Sequence, residues 1–204
     1  MTLIKSISGI RGTIGGKVGD NLTPVDAVKF ASAYGTFLKN TSTVTDRRLK
    51  VVIGRDARIS GPMIHNLVQN TLLGLGIDVI DLGLSTTPTV EVAVPMEQAD
   101  GGIILTASHN PKQWNALKLL NASGEFISEA DGKEVLDLAE NADFDFAQVD
   151  KLGKVIKNDT FEEGIEFETQ LKLTDKIKSV GNLKITDIPF VERVYTRDQL
   201  LVTG

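Results

Sequence analysis

Apolar and polar positions alternate along the chain in blocks that predict strands and helices in turn. Short apolar runs at 49–54, 77–82 and 101–105 are suited to buried strands. Between them, apolar residues at helical spacing in 23–38 and 60–76 predict helices that each bury one face. Because strands and helices alternate, we predict a three-layer α/β/α domain with helices on both faces of a mixed, mostly parallel sheet.

The same pattern continues to about residue 141 and then weakens. Thr87-Pro88 predicts a short helix to Pro95, Ala116–Leu120 a strand, and Ser128-Glu129 a capped helix that ends near Asn141. Residues 161–185 mix acids, lysines and isolated apolar residues without a clear period. We therefore expect residues 161–204 to be extended, poorly packed, or held in a contact with another molecule.

Composition narrows the class of protein. The 204 residues are 41% hydrophobic and 24% charged, as in an ordinary globular protein. A net charge of −5 argues against a general nucleic-acid binder. The absence of cysteine excludes disulfides and a thiol nucleophile, and no apolar run approaches the roughly 20 residues that span a bilayer. We expect a cytoplasmic chain that binds neither membrane nor nucleic acid.

Two glycine-containing segments offer phosphate-binding chemistry. Ser8–Lys17 is rich in glycine but is not a P-loop, because Val18 follows Lys17 and Arg11 stands where the first glycine should be. A flexible surface turn is the alternative there. The loop Gly54–Gly61 contains two arginines around an acid, and arginine suits phosphate because its planar fork of donors is always charged. The alternative is that the acid holds an arginine in a structural salt bridge.

Ser108 follows the predicted buried strand 101–105, and Asn110-Pro111 then predicts a turn. Ligands of open α/β sheets bind at such strand ends, and a serine hydroxyl held there can accept and return a covalent group. His109 is not a catalytic partner by adjacency alone, since neighbouring side chains of an extended chain point apart. The hydrolase elbow G-x-S-x-G is absent. A solvated or capping hydroxyl is the alternative.

Three motifs in order carry a resemblance to a known family. Thr106–Pro111, followed by Asn115–Lys118, resembles the phosphoserine loop of the α-D-phosphohexomutases, and Gly9–Gly12 and Gly54–Gly61 resemble the motifs that precede it. The resemblance covers residues 1–155 and corresponds to the family's first domain. Residues 156–204 are unassigned and do not resemble its second domain.

The resemblance implies a function and roles for individual residues. Phosphohexomutases move phosphate between the 1- and 6-positions of hexose phosphates through a phosphoserine and a bisphosphate. Ser108 would carry the phosphoryl group, and its oxygens would contact Mg²⁺. Arg11 and Lys118 would lie near the transferring oxygens, and His109 would contact substrate or orient the serine. Support of the loop would fall to Arg55, Asp56, Arg58, Asn110 and Asn115.

The family's metal, sugar and C-terminal phosphate motifs do not occur in the 204 residues. We therefore expect an isolated first domain, from a truncated chain, a disrupted reading frame or a degenerate copy. Alone it should be inactive, without stably bound Mg²⁺, and able to self-associate through a former domain interface. The ligands of the family would be glucose, mannose or glucosamine phosphate and a bisphosphate. Alternatives are a non-catalytic phosphate-binding or interaction module and a metal-dependent phosphatase, which the lack of an Asp/His metal cluster disfavours.

Overall fold

The computed structural model describes residues 1–6 and 9–157, so the expectation for residues 161–204 lies outside the described residues. Seven strands form one sheet in the order β1-β2-β6-β5-β3-β4-β7. The strands are β1 Ile4–Ser6, β2 Gly9–Thr13, β3 Lys50–Arg55, β4 Asp78–Leu84, β5 Gly101–Leu105, β6 Trp114–Leu120 and β7 Val155–Lys157. The helices are α1 Pro24–Thr41, α2 Gly61–Gly74, α3 Thr87–Met96 and α4 Glu129–Asn141, with a 3₁₀ turn at Val149–Lys151.

The sheet is mixed, as predicted: the strands of one half pair in parallel and those of the other half pair antiparallel. Among the described strands, β5-β3, β3-β4 and β4-β7 pair in parallel, whereas β1-β2, β2-β6 and β6-β5 pair antiparallel. The parallel half contains the strand–helix alternation that the sequence pattern predicts. The antiparallel half lies on the other side of β5.

Strand β5 shows why the domain has three layers. All five of its residues are buried. A Cβ on Gly101 would lie 2.1 Å from the Tyr34 hydroxyl of α1, and one on Gly102 would lie 2.7 Å from Val94 of α3. The two glycines therefore let helices approach both faces of the strand, and the predicted α/β/α fold is confirmed.

The larger core lies on the face that α1, α2 and α4 cover. Leu72 of α2 and Val135 of α4 belong to it, together with Ile53 and Ile103 of the sheet. Tyr34 is fully buried there and donates hydrogen bonds to the carbonyl oxygens of Gly102 and Leu120. Burial raises the pKa of the Tyr34 hydroxyl, so the group remains a neutral donor.

Local sequence explains where two of the helices begin. Thr23 caps α1 and Ser128 caps α4, and each forms a capping box with an aspartate three residues later. Both helix starts were predicted. None of the described helices is both long and apolar enough to cross a membrane.

The glycine-rich N-terminal segment forms a strand where the sequence predicted a loop or surface turn. Gly9–Thr13 pairs with β1 on one side and β6 on the other. Gly9 has a φ of +124°, and a Cβ there would lie 2.2 Å from the Leu117 carbonyl oxygen. Glycine is thus required by a close approach to β6, and this approach places Arg11 beside β6.

Candidate functional site

An open cleft of about 270 Å³ lies on the antiparallel half of the sheet. The strand register places Lys118 opposite Ile104 and Arg11 opposite Ala116, on the sheet face that carries α3. Arg11 is exposed and Lys118 half-buried. The cleft is lined by Ser6, Gly9, Arg11, Thr106, Ala107, Ser108, His109, Asn110, Ala116, Lys118 and Phe126. Five predicted site residues therefore line one cleft: Arg11, Ser108, His109, Asn110 and Lys118.

The loop after β5 presents Ser108 to solvent on a constrained backbone. Ser108 has a φ of +53°, in the left-handed region that non-glycine residues rarely adopt. Its amide donates to Thr106 Oγ1 at 3.1 Å, and the amide of Asn110 donates to the Ala107 carbonyl oxygen at 3.0 Å. Ser108 and His109 are both exposed. Backbone strain of this kind occurs at functional sites when the surroundings hold the conformation.

Arg58 supplies that support from the preceding strand–helix loop. Its Nη2 donates to the carbonyl oxygens of Ser108 at 2.7 Å and Asn110 at 2.8 Å. Its Nη1 donates to those of Pro111 at 2.9 Å and Trp114 at 3.1 Å. Four carbonyl oxygens of the serine loop thus converge on one guanidinium, whose side chain is only 12% exposed.

Asp56 is a further hydrogen-bond and ion-pair partner of Arg58. One carboxylate oxygen accepts from the Arg58 amide and the other from Arg58 Nε, both at 3.1 Å. The guanidinium therefore uses donors on all three nitrogens within the protein. The salt-bridge interpretation of the Gly54–Gly61 loop describes Arg58 correctly, and this arginine has no donor directed into the cleft.

Asn115 ties the far end of the serine loop to helix α2. The side chain is fully buried, and its Nδ2 donates to Ser60 Oγ at 2.9 Å. Its Oδ1 accepts from the Ala116 amide at 2.8 Å. Ser60 precedes α2 but makes no capping bond with its side chain. The structure thus places Asn115 behind the loop and outside the cleft lining.

Among the described residues, the Arg55 side chain makes no hydrogen bond to the serine-loop carbonyl oxygens that Arg58 binds. Arg55 stands in β3 opposite Leu105, and its Nη1 donates to the Asp56 carbonyl oxygen at 3.2 Å. Gly61, at the start of α2, lies near its side chain. The other histidine, His65, is buried, and its Nε2 lies within hydrogen-bond distance of Asp81 Oδ1, at 2.9 Å.

Arg11 and Lys118 have no hydrogen-bond or ion-pair partner among the described residues. The one interaction recorded for either side chain is that of Lys118 Nζ, which lies 5.9 Å from the ring centre of Phe126. Among the described residues, no carboxylate lines the cleft. Two unneutralised cations beside an exposed hydroxyl form a site suited to an anion.

Three residues that line the cleft were not predicted as site residues: Phe126, Thr106 and Ser6. Phe126 pairs with Leu120 through an isolated bridge after the turn at residues 121–124, so a chain reversal brings it to the cleft. Thr106 lay within the quoted serine-loop motif, and the run T-A-S could have suggested its hydroxyl as a turn acceptor. The described residues include no group of three or more His, Asp or Glu that could hold a metal ion.

The family model described as "Phosphoglucomutase/phosphomannomutase, alpha/beta/alpha domain I" matches residues 3–146. A phosphoglucomutase/phosphomannomutase of Thermococcus kodakarensis is 38% identical over 157 residues, which are 76% of this chain and 34% of that protein. A phosphoglucosamine/phosphogalactosamine mutase of Sulfurisphaera tokodaii is 36% identical over 130 residues, which are 64% of this chain and 26% of that protein.

Solved structures share the fold. A phosphoglucomutase/phosphomannomutase family protein of Burkholderia thailandensis superposes with a TM-score of 0.65 at 23% identity, over 80% of this chain and 34% of that one. The chain thus spans about a third of the length of the relatives it matches.

Proposed function

Because this chain belongs to the phosphoglucomutase/phosphomannomutase family, and contains its α/β/α domain I, we propose that Ser108 carries the phosphoryl group in a hexose-phosphate mutase reaction. The observation that carries the proposal is the convergence of exposed Ser108 with unpaired Arg11 and Lys118 in one cleft. The names of the relatives suggest glucose, mannose or glucosamine phosphate as substrates. The family resemblance implies a bisphosphate as the intermediate.

The reaction would proceed by two transfers. A hydroxyl oxygen of the hexose monophosphate bonds to the phosphorus on Ser108 while the bond from that phosphorus to Ser108 Oγ breaks. The sugar hydroxyl loses its proton, and Ser108 Oγ regains one. The bisphosphate then turns round in the site and returns its other phosphoryl group to Ser108. The net result is movement of phosphate between the 1- and 6-positions.

The described side chains contribute positioning and charge to these transfers. Arg11 and Lys118 would bind phosphoryl oxygens and stabilise their negative charge, a large part of phosphoryl-transfer catalysis. Arg58 would hold the loop so that Ser108 Oγ keeps one position relative to these cations. His109, exposed on the cleft wall, would contact the sugar or orient the serine.

The family resemblance implies Mg²⁺, which the described residues do not fit on their own. The described residues that line the cleft include no carboxylate, whereas Mg²⁺ is held in proteins by carboxylate and phosphate oxygens. Phosphorylated Ser108 would offer such oxygens, and further protein ligands would have to come from outside the described residues. We propose that the 204-residue chain alone therefore has little mutase turnover. A coupled assay with the three sugar phosphates tests this, and robust turnover would contradict it.

Phosphorylation of Ser108 is the direct test of the proposal. The purified chain is incubated with glucose 1,6-bisphosphate and Mg²⁺, and intact mass and peptide mapping locate any added phosphoryl group. We expect modification of Ser108, its loss in Ser108→Ala, and no change in Ser123→Ala, which alters another exposed serine. A phosphoryl group on another residue would contradict the proposal. So would a wild-type chain that neither becomes phosphorylated nor binds hexose phosphate at the cleft.

A further inference from the structure

We propose that Phe126 is a positioning residue for Lys118, an inference that rests on the proposed phosphoryl-transfer role of the cleft. Lys118 Nζ lies 5.9 Å from the centre of the Phe126 ring, within the range of a cation–π interaction. Both side chains line the cleft with Ser108. The ring would hold the ammonium group where it meets a phosphoryl oxygen.

The Lys118–Phe126 pair differs from a second lysine–phenylalanine pair in whether the lysine also has a carboxylate partner. Lys5 Nζ lies 5.8 Å from the ring centre of Phe30, but it also forms a salt bridge with Glu140. Lys118 forms no salt bridge or hydrogen bond among the described residues. An aromatic face attracts a cation without cancelling its net charge, whereas a carboxylate neutralises it. Phe126 can thus fix the Lys118 ammonium and leave its charge available for an anion.

The segment that carries the Phe126 ring is held in place by backbone pairing and close packing. Phe126 is paired with Leu120, and the next amide, that of Ile127, donates to the Leu119 carbonyl oxygen at 3.1 Å. The preceding turn contains Gly124, where a Cβ would lie 2.0 Å from the Glu91 carbonyl oxygen of α3. This segment therefore packs closely against β6 and α3.

Phe126 is nevertheless 41% exposed, so burial in the core does not account for its position. A flexible lysine loses conformational entropy when an anion fixes it. An aromatic platform that orients it beforehand reduces this cost. The effect of an exposed cation–π pair corresponds to about a two- to five-fold change in affinity.

The test follows Lys118 and its ligand in the full 204-residue chain. We expect the ε-methylene protons of Lys118 to show an upfield ring-current shift in NMR, assigned by its loss in Lys118→Met. Phe126→Leu should remove that shift and weaken binding of inorganic phosphate about two- to five-fold, and Phe126→Trp should retain both. Phe146→Leu is the matched control, because Phe146 is 46% exposed and lies beside Gly74 of α2.

A double-mutant comparison separates positioning from a general structural effect. In a Lys118→Met background, Phe126→Leu should have no further effect on phosphate affinity. An unchanged Lys118 shift in Phe126→Leu, or equal weakening in both backgrounds, would overturn the inference. A wild-type chain that does not bind phosphate would count against the proposed function, while the Lys118 shift would still decide the role of Phe126.

Discussion

Arg58 and Lys118 both belong to the surroundings of Ser108, yet their charges are used differently. Arg58 is 12% exposed and donates to four carbonyl oxygens of the serine loop and to Asp56. Lys118, like Arg11, has no polar partner among the described residues and faces the cleft. Of these three basic residues, Arg58 thus holds the serine loop, whereas Arg11 and Lys118 remain available to a ligand.

The largest expected effect is on stability, through Arg58. Arg58→Met leaves four carbonyl oxygens of the serine loop and one carboxylate oxygen of Asp56 without their side-chain donor, and should lower the free energy of unfolding by about 3 kcal/mol. Arg58→Lys should recover only part of this loss, because an ammonium group lacks the planar fork. Urea unfolding followed by circular dichroism measures both.

Arg11→Met is the control, with an expected change within about 0.5 kcal/mol, since Arg11 is exposed and unpaired. If Arg58→Met were as stable as wild type, the view that this guanidinium builds the loop would be wrong.

For phosphate binding we expect the opposite of the stability effects, with the losses at Arg11 and Lys118 of the cleft. Arg11→Met and Lys118→Met should each weaken binding of inorganic phosphate about ten-fold, because each removes a charge-assisted hydrogen bond. Isothermal titration at low salt measures the affinity. Lys112→Met removes a nearby exposed lysine that does not line the cleft, and should have little effect. Equal losses in all three variants would indicate attraction by general charge and contradict a specific cleft.

The sequence was sufficient for most of the fold because the relevant interactions are local. Helix starts follow from capping residues such as Thr23 and Ser128, and buried strands follow from short apolar runs. Strand β2 was not predicted, since only its pairing with β1 and β6 makes Gly9–Thr13 extended. The short strand β7 likewise depends on pairing with β4.

The sequence predicted which residues belong to the site better than it predicted what each of them does. Arg55 and Arg58 are three residues apart and identical in type, but tertiary contacts alone place Arg58 at four carbonyl oxygens and Arg55 beside α2. Phe126 reaches the cleft through a chain reversal, so neither periodicity nor motif spacing indicates it. Roles that depend on which partners meet across the fold are not encoded in any one segment.

A smaller effect is expected from the backbone of Ser108. Because its φ is +53°, glycine should be tolerated better than alanine there, and Ser108→Gly should be more stable than Ser108→Ala by about 1 kcal/mol. Both variants lack the hydroxyl, so the difference in thermal unfolding reports the backbone alone. Ala130→Gly, at an exposed position of α4, should show the opposite preference. If alanine were the better residue at position 108, the loop would not be held in the left-handed conformation.

The smallest effect is expected at Glu140, an exposed ion pair that contrasts with the enclosed guanidinium of Arg58. The hydrogen bond from Lys5, and then the charge of Lys29, lower the pKa of the Glu140 carboxyl from its ordinary value of 4.5. Its contribution to stability should therefore be complete well above pH 4.5 and be lost as the pH falls through the lowered pKa. Glu140→Gln should be less stable than wild type at pH 7 by about 0.5 kcal/mol or less, with the difference vanishing in acid and shrinking in high salt. Thermal unfolding across pH measures this. The control is Glu134→Gln, at an exposed position of α4 that forms no ion pair with another described residue. A loss of stability in Glu140→Gln as large as that in Arg58→Met would contradict the contrast between exposed ion pairs and the enclosed guanidinium. Such a loss would mean that solvent screening does not weaken the exposed pair.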